Sequence, residues 1–380
     1  MDYVEQQVLQ YPDMAEKYNK LGELFSRKLW HQLTVALLEF VSDPANAEAG
    51  GGLVRLCTEF IAKFEAKMNQ LRFVQIICTV GKTCSDGLEA TQLFETALEK
   101  RERLGPDASL LLESELGLLL LRAGKVAEAK EVVEKGKLAA EDLQSAETAV
   151  YSAYYRLSSE YFKTVGPPDS FYRSALMFLA YTPLEGIPQE ERYTLATDIS
   201  LAALTGEGVF NFGEVLATPI LSMLDGSPNA WLGSMMQAFN TGDIDAFNKL
   251  CSENQKTMSA QPALVSRATF TKEKIALLCL MNMVFERHSQ DRNIPFQEIA
   301  ARTKLPADQQ VEWLVMRAMS LKLVKGVMDE VARVVHVSWV QPRVLENSQL
   351  TRLSERLGEW RGRVNEAHVY VEEQTPELFG

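Results

Sequence analysis

Apolar residues recur every three or four positions over most of this 380-residue chain, which is the spacing of α-helices. The stretch Leu29–Val41 shows the pattern clearly, and further helices are predicted at about 53–67 and 71–82. The segment 42–52 between the first two contains a proline and three glycines, which interrupt helices and indicate a loop. We therefore expect the chain to be mainly α-helical up to about residue 285.

Three places in this region share one arrangement for joining two helices. A glycine in the turn can end one helix in a left-handed conformation, and a small alanine lets the next helix pack closely. The pairs are Gly124 with Ala129, Gly166 with Ala175, and Gly242 with Ala246. The pattern is similar to tetratricopeptide-type repeats, whose period is about 34 residues. It predicts an irregular right-handed α-solenoid, with a single helical bundle as the alternative.

The organisation changes from about Lys272. A strongly apolar helix is followed by a short helix, a turn at Thr303–Pro306 and a second helix with a buried stripe. The period then drops to two in predicted strands at about Leu323–Met328 and Arg333–Val340. A helix, a helix–turn–helix and a β-ribbon, in this order, form a winged helix, so we interpret the ribbon as its wing.

The second strand of the wing alternates between apolar and polar residues. Val335, Val337 and Trp339 are predicted to lie on one side, with His336 and Ser338 on the other. The edge of a small sheet has unpaired backbone groups, which can bind a strand of a neighbouring chain. We expect such an edge here. The alternative, that these apolar side chains fill the domain's own core, is compatible with it.

The last part of the chain carries an apolar seam at alternating steps of three and four residues, as in coiled coils. An isolated helix with this seam would expose a long apolar stripe to water. We therefore expect it to join helices of other chains in a bundle, and folding back onto the solenoid is the alternative. The seam consists of Leu350, Leu353, Leu357, Trp360, Val364, Ala367 and Val371.

The charge of the chain argues against some classes of binding partner. The net charge of −12 argues against general attraction to nucleic acid or anionic lipid, and no apolar run reaches the ~20 residues that span a bilayer. The predicted winged helix has a mild excess of positive charge, and Gln309 and Gln310 are placed to touch bases. Its second helix also carries Asp308 and Glu312, so nucleic-acid binding is only an alternative.

We find no pattern typical of catalysis. The chain has no GxxxxGK[ST], GxSxG or HExxH motif, and the segment "GEGVFNFG" at 206–213 fits a corner between helices better than a dinucleotide turn. The four histidines lie far apart, and the five cysteines include no CxxC pair. We expect no catalytic residue, cofactor or metal, and we interpret the cysteines as buried, reduced thiols.

Several short sequence segments resemble those of a known protein family. "LVKGVMDEV" at 323–331 is similar to the PCI class, while "GEGVFNFGEVL" at 206–216 and "WVQPRVL" at 339–345 are more specific. The chain resembles the PCI-domain lid subunits of the 26S proteasome regulatory particle, in particular the family of non-ATPase subunit 13. The resemblance implies a solenoid at 1–270, the winged-helix part of a PCI domain at 271–345, and an assembly helix and tail at 346–380.

The resemblance also implies a non-catalytic scaffold of the proteasome lid in the cytoplasm and nucleus. Its expected partners are other PCI lid subunits, the deubiquitinase-containing lid pair and the ubiquitin receptor subunit. A PCI scaffold of the signalosome or of a translation initiation complex is an alternative. The C-terminal seam is expected in a shared helix bundle. The wing residues expected at a subunit junction are Leu323, Val324, Val327, Val335, Val337 and Trp339.

Overall fold

The computed structural model describes residues 2–10, 14–43, 52–84, 87–100, 103–143, 145–287, 291–305, 308–344 and 347–374. Most of the predicted 42–52 loop and the tail beyond Gln374 lie outside these ranges. Contacts divide the chain into two compact units, Met1–Pro188 and Gln189–Gly380. The domain boundaries at 270 and 345 stay predictions. A bilayer crossing would need a longer and more apolar helix than any in the described residues.

Helices make up the first unit, and consecutive helices from α7 to α10 pack against one another. Their apolar faces form its core. The α-helices are α1 (Asp2–Gln10), α2 (Ala15–Ser26), α3 (Trp30–Ser42), α4 (Gly52–Arg55), α5 (Gln70–Thr83), α6 (Gly87–Leu98), α7 (Pro106–Arg122), α8 (Val126–Asp142), α9 (Thr148–Val165) and α10 (Pro168–Tyr181). A 3-10 turn follows at Leu184–Gly186.

The helix predicted at 53–67 is not one regular helix. After α4 the chain forms a π-helix at Leu56–Phe60 and then two 3-10 turns, Ile61–Lys63 and Glu65–Lys67. Its aromatic residues Phe60 and Phe64 are both buried, with ring centroids 5.3 Å apart. The change in winding therefore leaves the predicted apolar face in the core.

The glycine–alanine arrangement occurs with variations. Gly242 ends its helix in the left-handed conformation, and a Cβ there would lie 2.8 Å from the Cα of Cys279 in a neighbouring helix. Gly166 has a positive φ but an extended ψ of −176°, so it is not left-handed helical as predicted. Ala129 and Ala175 are fully buried, as close helix packing requires.

The second unit is built around one apolar helix, in which every residue from Lys274 to Val284 is buried. Its elements are α11 (Gln189–Thr205), α12 (Gly213–Leu216), a 3-10 helix (Pro219–Leu224), α13 (Trp231–Thr241), α14 (Ile244–Glu253), α15 (Gln255–Ser259), α16 (Pro262–Ser266), α17 (Ala268–Glu286), β1 (Asn293–Pro295), α18 (Phe296–Thr303), α19 (Asp308–Ser320), β2 (Val324–Asp329), β3 (Val334–Val340) and α20 (Asn347–Gln374).

The predicted winged helix is present, with one strand more than expected. The sheet is antiparallel in the order β1-β3-β2, so β3 is its central strand. Strand β1 is three residues long and ends in Pro295, which removes a backbone donor. A segment this short has no detectable alternation, which explains why the sequence does not predict it.

The predicted side of Trp339 is wrong. Lys325 pairs with Trp339 while Gly326 pairs with Val337, so the register skips Ser338 and leaves it as an extra residue in β3. One extra residue reverses the alternation of faces beyond it. Trp339 therefore shares the solvent face with its partner Lys325, whereas Val335 and Val337 face the core.

Candidate subunit interface

Two surfaces in the second unit have the features of a site for another polypeptide: the wing and the C-terminal helix. On the wing, the solvent face of the sheet carries Val327, which is 69% exposed, and Trp339, which is 38% exposed. The Nζ atom of Lys325 lies 4.8 Å from the centroid of the Trp339 ring. This cation–π contact fixes the indole against the sheet, with its remaining surface in solvent.

The six predicted wing residues fall into two groups. Leu323, Val324, Val335 and Val337 are almost completely buried, so their side chains fill the core of this unit. Val327 and Trp339 are the two that another chain could reach. The sequence left two alternatives open: that the apolar side chains fill the domain's own core, or that they lie beside an edge open to another chain. The ribbon contains side chains of both kinds. A subunit junction at these residues stays a prediction.

The longer of the two backbone edges of the sheet belongs to β2, because β1 at the other edge has only three residues. Its partner β3 has a strand on each side, so it cannot accept another one along the paired residues. On the side away from β3, strand β2 has no partner among the strands that the structure describes. Gly326 lies at the bulge, where a Cβ would overlap the carbonyl oxygen of His336. The bulge therefore lies beside β2, the strand that has the open backbone edge.

Exposed apolar residues also occur next to the sheet, where the sequence analysis did not predict them. Val331, in the turn between β2 and β3, is 98% exposed, and the Asp329 side chain accepts a hydrogen bond of 2.9 Å from the backbone N–H of Ala332 in the same turn. On α19, Trp313 and Met316 lie one turn apart on the exposed face. Both residues fall outside the buried stripe of this amphipathic helix, and that position in the sequence could have predicted their exposure.

A polar socket holds the segment between β3 and α20. Arg343 donates to the carbonyl oxygen of Asn240 at 3.4 Å and to the side-chain oxygen of Asn282. The backbone N–H of Val344 donates to the Asn211 side chain at 3.1 Å. These bonds hold residues 343 and 344, which follow the winged helix in the chain.

The C-terminal helix α20 is 28 residues long, or about 42 Å. The large members of its predicted seam lie between 43% and 65% exposed, and Ala367 is exposed as well. Leaving such a stripe in water is unfavourable, at about 25 cal/mol for each Å² of apolar surface. The exposed seam residues are Leu350, Leu353, Leu357, Trp360, Val364 and Val371.

The titratable groups of this unit include one buried thiol, that of Cys279. Groups of three or more His, Cys, Asp or Glu placed to hold a metal ion are absent from the residues that the structure describes. Burial raises the pKa of the Cys279 thiol to about 11, although the charge of Arg302 acts in the opposite direction. Cys279 is therefore protonated near neutral pH and a poor nucleophile.

Comparison with known proteins shows the family to which the chain belongs. A family model described as PSD13 N-terminal repeats matches residues 17–236, and a PCI domain model matches 251–339. The 26S proteasome non-ATPase regulatory subunit 13 homolog A of Arabidopsis thaliana is 37% identical over 382 residues, covering 100% of this chain and 98% of the relative. The chain belongs to the 26S proteasome non-ATPase regulatory subunit 13 family. This confirms the resemblance drawn from the sequence.

Other relatives bear on the alternatives. The subunit 13 protein of Dictyostelium discoideum is 34% identical over 381 residues, covering 100% of this chain and 98% of the relative. Translation initiation factor 3 subunit M of Aspergillus oryzae is 24% identical over 199 residues, covering 52% of this chain and 42% of that protein. Similarity to the subunit 13 family thus extends over the whole length, including the N-terminal repeats and α20.

Proposed function

We propose that this chain is a non-catalytic structural subunit of the proteasome lid, acting in ubiquitin-dependent protein degradation. Membership of the subunit 13 family supports the assignment. The observation that carries it is the exposed seam of α20, which runs along a helix of about 42 Å. A surface of this kind is completed by helices of other chains.

The wing supplies a second contact. The open edge of β2 can add a strand of a neighbouring subunit through backbone hydrogen bonds. Val327 and Trp339 on the adjoining face provide apolar surface beside it. The backbone edge then contributes affinity, and the two side chains contribute selection among partners.

The expected partners are other PCI lid subunits, the lid pair that contains the deubiquitinase, and the ubiquitin receptor subunit. The expected location is the cytoplasm and nucleus, where proteasomes work. The role needs no cofactor, metal, nucleic acid or membrane. It requires only surfaces that other polypeptides cover.

Affinity purification of the tagged full-length chain, followed by mass spectrometry, tests this function. Recovery of proteasomal ATPases and lid subunits in near-stoichiometric amounts is the expected result. Recovery of signalosome or translation initiation subunits in their place would overturn it. The partial similarity to initiation factor 3 subunit M makes the second of these the main competitor.

A further inference from the structure

The apolar seam of α20 has positive charge along both of its edges. In a helix that packs through such a seam, the residues directly beside it flank the contact and meet the flanks of the partner helix. On α20, Arg356 and Arg363 each lie just before a seam residue, and Arg361 lies just after one. The flanks contain no aspartate or glutamate between Leu350 and Gln374. The other flanking residues in this range are Ser354, His368 and Tyr370.

The glutamates of α20 occupy the outward side of the helix. Between Leu350 and Gln374 there are four arginines and five glutamates, so the total charge is close to zero although the edges of the seam are positive. The outward glutamates are Glu355, Glu359, Glu366, Glu372 and Glu373. The charges of this helix are therefore sorted by face, with the cations beside the seam.

Neighbouring carboxylates do not neutralise these arginines. Within the part of the chain that the structure describes, none of the three forms an ion pair with a carboxylate. Arg356 donates instead to the backbone carbonyl oxygen of Glu286 at 3.2 Å, which leaves its charge uncompensated. Arg361 is exposed and has no acidic residue three or four positions away, the spacing at which side chains meet on a helix. The flanks of the seam are thus positive in the free chain.

Arg363 is the one arginine of the three with two glutamates at this spacing. Glu359 lies four positions before it and Glu366 three positions after it, and all three side chains are exposed. Pairs between exposed side chains contribute little and exchange readily for another carboxylate. A partner helix can therefore still recruit this arginine.

The same charges make a second copy of the chain a poor partner for the seam. In a parallel pair of α20 helices, Arg356 of one copy would lie beside Arg361 of the other. In an antiparallel pair, each flank would lie beside its own counterpart, which again brings arginines together. Like charges across a helix contact select against that pairing.

We propose that the helix covering the seam of α20 belongs to a different polypeptide and carries glutamate or aspartate on both flanks of its own apolar seam. The inference rests on the proposed function, which supplies the helix bundle, and it adds the chemistry by which α20 selects its neighbour. The apolar seam contributes most of the affinity. The charged flanks contribute the discrimination between neighbours.

Two designed peptides test the proposal by fluorescence anisotropy with the full-length chain. Both contain four heptads with the same isoleucine and leucine seam. The acidic probe repeats Glu-Ile-Ala-Ala-Leu-Glu-Lys, and the basic probe repeats Lys-Ile-Ala-Ala-Leu-Lys-Glu, so they differ only by an exchange of charges. We expect the acidic probe to bind at least tenfold more tightly. This preference is expected to shrink as NaCl rises from about 50 to about 500 mM, because exposed charges are then screened.

Reversing the flanks is expected to reverse the preference. The variant with Arg356→Glu, Arg361→Glu and Arg363→Glu keeps the seam but changes the sign beside it, so it is expected to bind the basic probe more tightly. A matched control reverses three outward charges and is expected to keep the preference of the unchanged chain. It carries Glu355→Arg, Glu366→Arg and Glu373→Arg. Circular dichroism checks that each variant is folded.

Val364→Asp locates the probes, because it places a charge in the seam itself. It is expected to weaken binding of the acidic probe at least tenfold. Undiminished binding by this variant would show that the probe binds elsewhere and would overturn the proposal. Sedimentation of the chain alone tests the exclusion of a second copy. A dimer that Val364→Asp abolishes would overturn the proposal too.

Three further results would overturn the inference while leaving the proposed function intact. They are equal binding of the two probes, an unchanged preference in the flank-reversed variant, and binding of neither probe at about 100 µM. Failure of the proposed function is seen separately, in the purification of the tagged chain without proteasomal subunits.

Discussion

The ammonium group of Lys274 lies 2.6 Å from the carbonyl oxygen of Ala203, at the C-terminal end of α11. It also donates to the carbonyl oxygen of Gly206 at 2.7 Å, and the ring centroid of Phe212 is 5.2 Å away. A cation is favourable here because the last carbonyls of a helix have no intrahelical partner and carry partial negative charge. The residue is fully buried, so this contact ties the central helix α17 to the corner at 206–213.

Replacing Lys274 by methionine tests this tie. The substitution keeps an unbranched apolar stem, which is one heavy atom shorter, but leaves the carbonyls of Ala203 and Gly206 without this donor. We expect a loss of about 3 kcal/mol of unfolding free energy, since charged hydrogen bonds are lost and buried acceptors are left unpaired. Urea unfolding measures it. The control Lys272→Met, at an exposed position two residues away, is expected to change stability by no more than about 0.5 kcal/mol.

Gly326→Ala tests the bulge that defines the wing. The added Cβ overlaps the His336 carbonyl oxygen, so β2 and β3 must separate or lose their register. We expect a cost of about 3 kcal/mol by thermal or urea unfolding. The same change at Gly358 of α20, where a Cβ meets nothing within 4 Å, is expected to leave stability unchanged or raise it. Equal behaviour of the two variants would contradict the register described here.

The buried thiol of Cys279 predicts a loss of stability in alkali. Burial raises its pKa from an ordinary value of 9.0 to about 11. Below pH 9 both states keep the proton, so the thiol adds no pH dependence. Between pH 9 and 11 only the unfolded state releases it, and stability falls by up to about 1.4 kcal/mol per pH unit.

The variant Cys279→Ala lacks this dependence. Its free energy of unfolding is therefore expected to approach that of the unchanged chain as the pH rises from 8.5 to 10.5. Urea unfolding at four pH values gives the comparison. Two curves that stay parallel over this interval would show that the thiol titrates alike in both states.

The hydrogen bonds of Arg343 lead to a prediction about how firmly the residues after β3 are held. Arg343→Ala removes the bonds to Asn240 and Asn282 and loosens the described residues that follow β3. Chymotrypsin cleavage next to Trp339 is expected to become several-fold faster, because local opening exposes the backbone there. Arg361→Ala, on the exposed surface of α20, is the control and is expected to leave the rate unchanged.

Sequence periodicity anticipated the long elements because their signals extend over many residues. The 3.6-residue period predicted α3, α5 and α17, and the seam of α20 could be listed residue by residue. Strand β1 could not be predicted, since three residues carry no measurable period. The bulge at Ser338 was equally hidden. It depends on the pairing of two strands, and it moved Trp339 to the solvent face.

The socket around Arg343 and the buried contact of Lys274 could not be predicted, for a different reason. Arg343 meets Asn240 across 103 positions of the chain, and Lys274 meets Ala203 across 71. Such contacts arise from tertiary packing and leave no local pattern. Burial also distinguishes Val337, which is in the core, from Val327, which is exposed, although both are valines of the same ribbon and have the same local sequence signal.

The most direct test of the account compares two valines of α20 that are almost equally exposed, Val364 at 45% and Val369 at 49%. Val364 lies on the seam, and Val369 lies about 140° away around the helix. Val364→Asp is expected to lower the fraction of the chain that co-purifies with proteasomal ATPases at least tenfold, because it places a charge in the core of the proposed bundle. Val369→Asp is expected to assemble normally. Equal incorporation of both variants would contradict the claim that other polypeptides cover the seam.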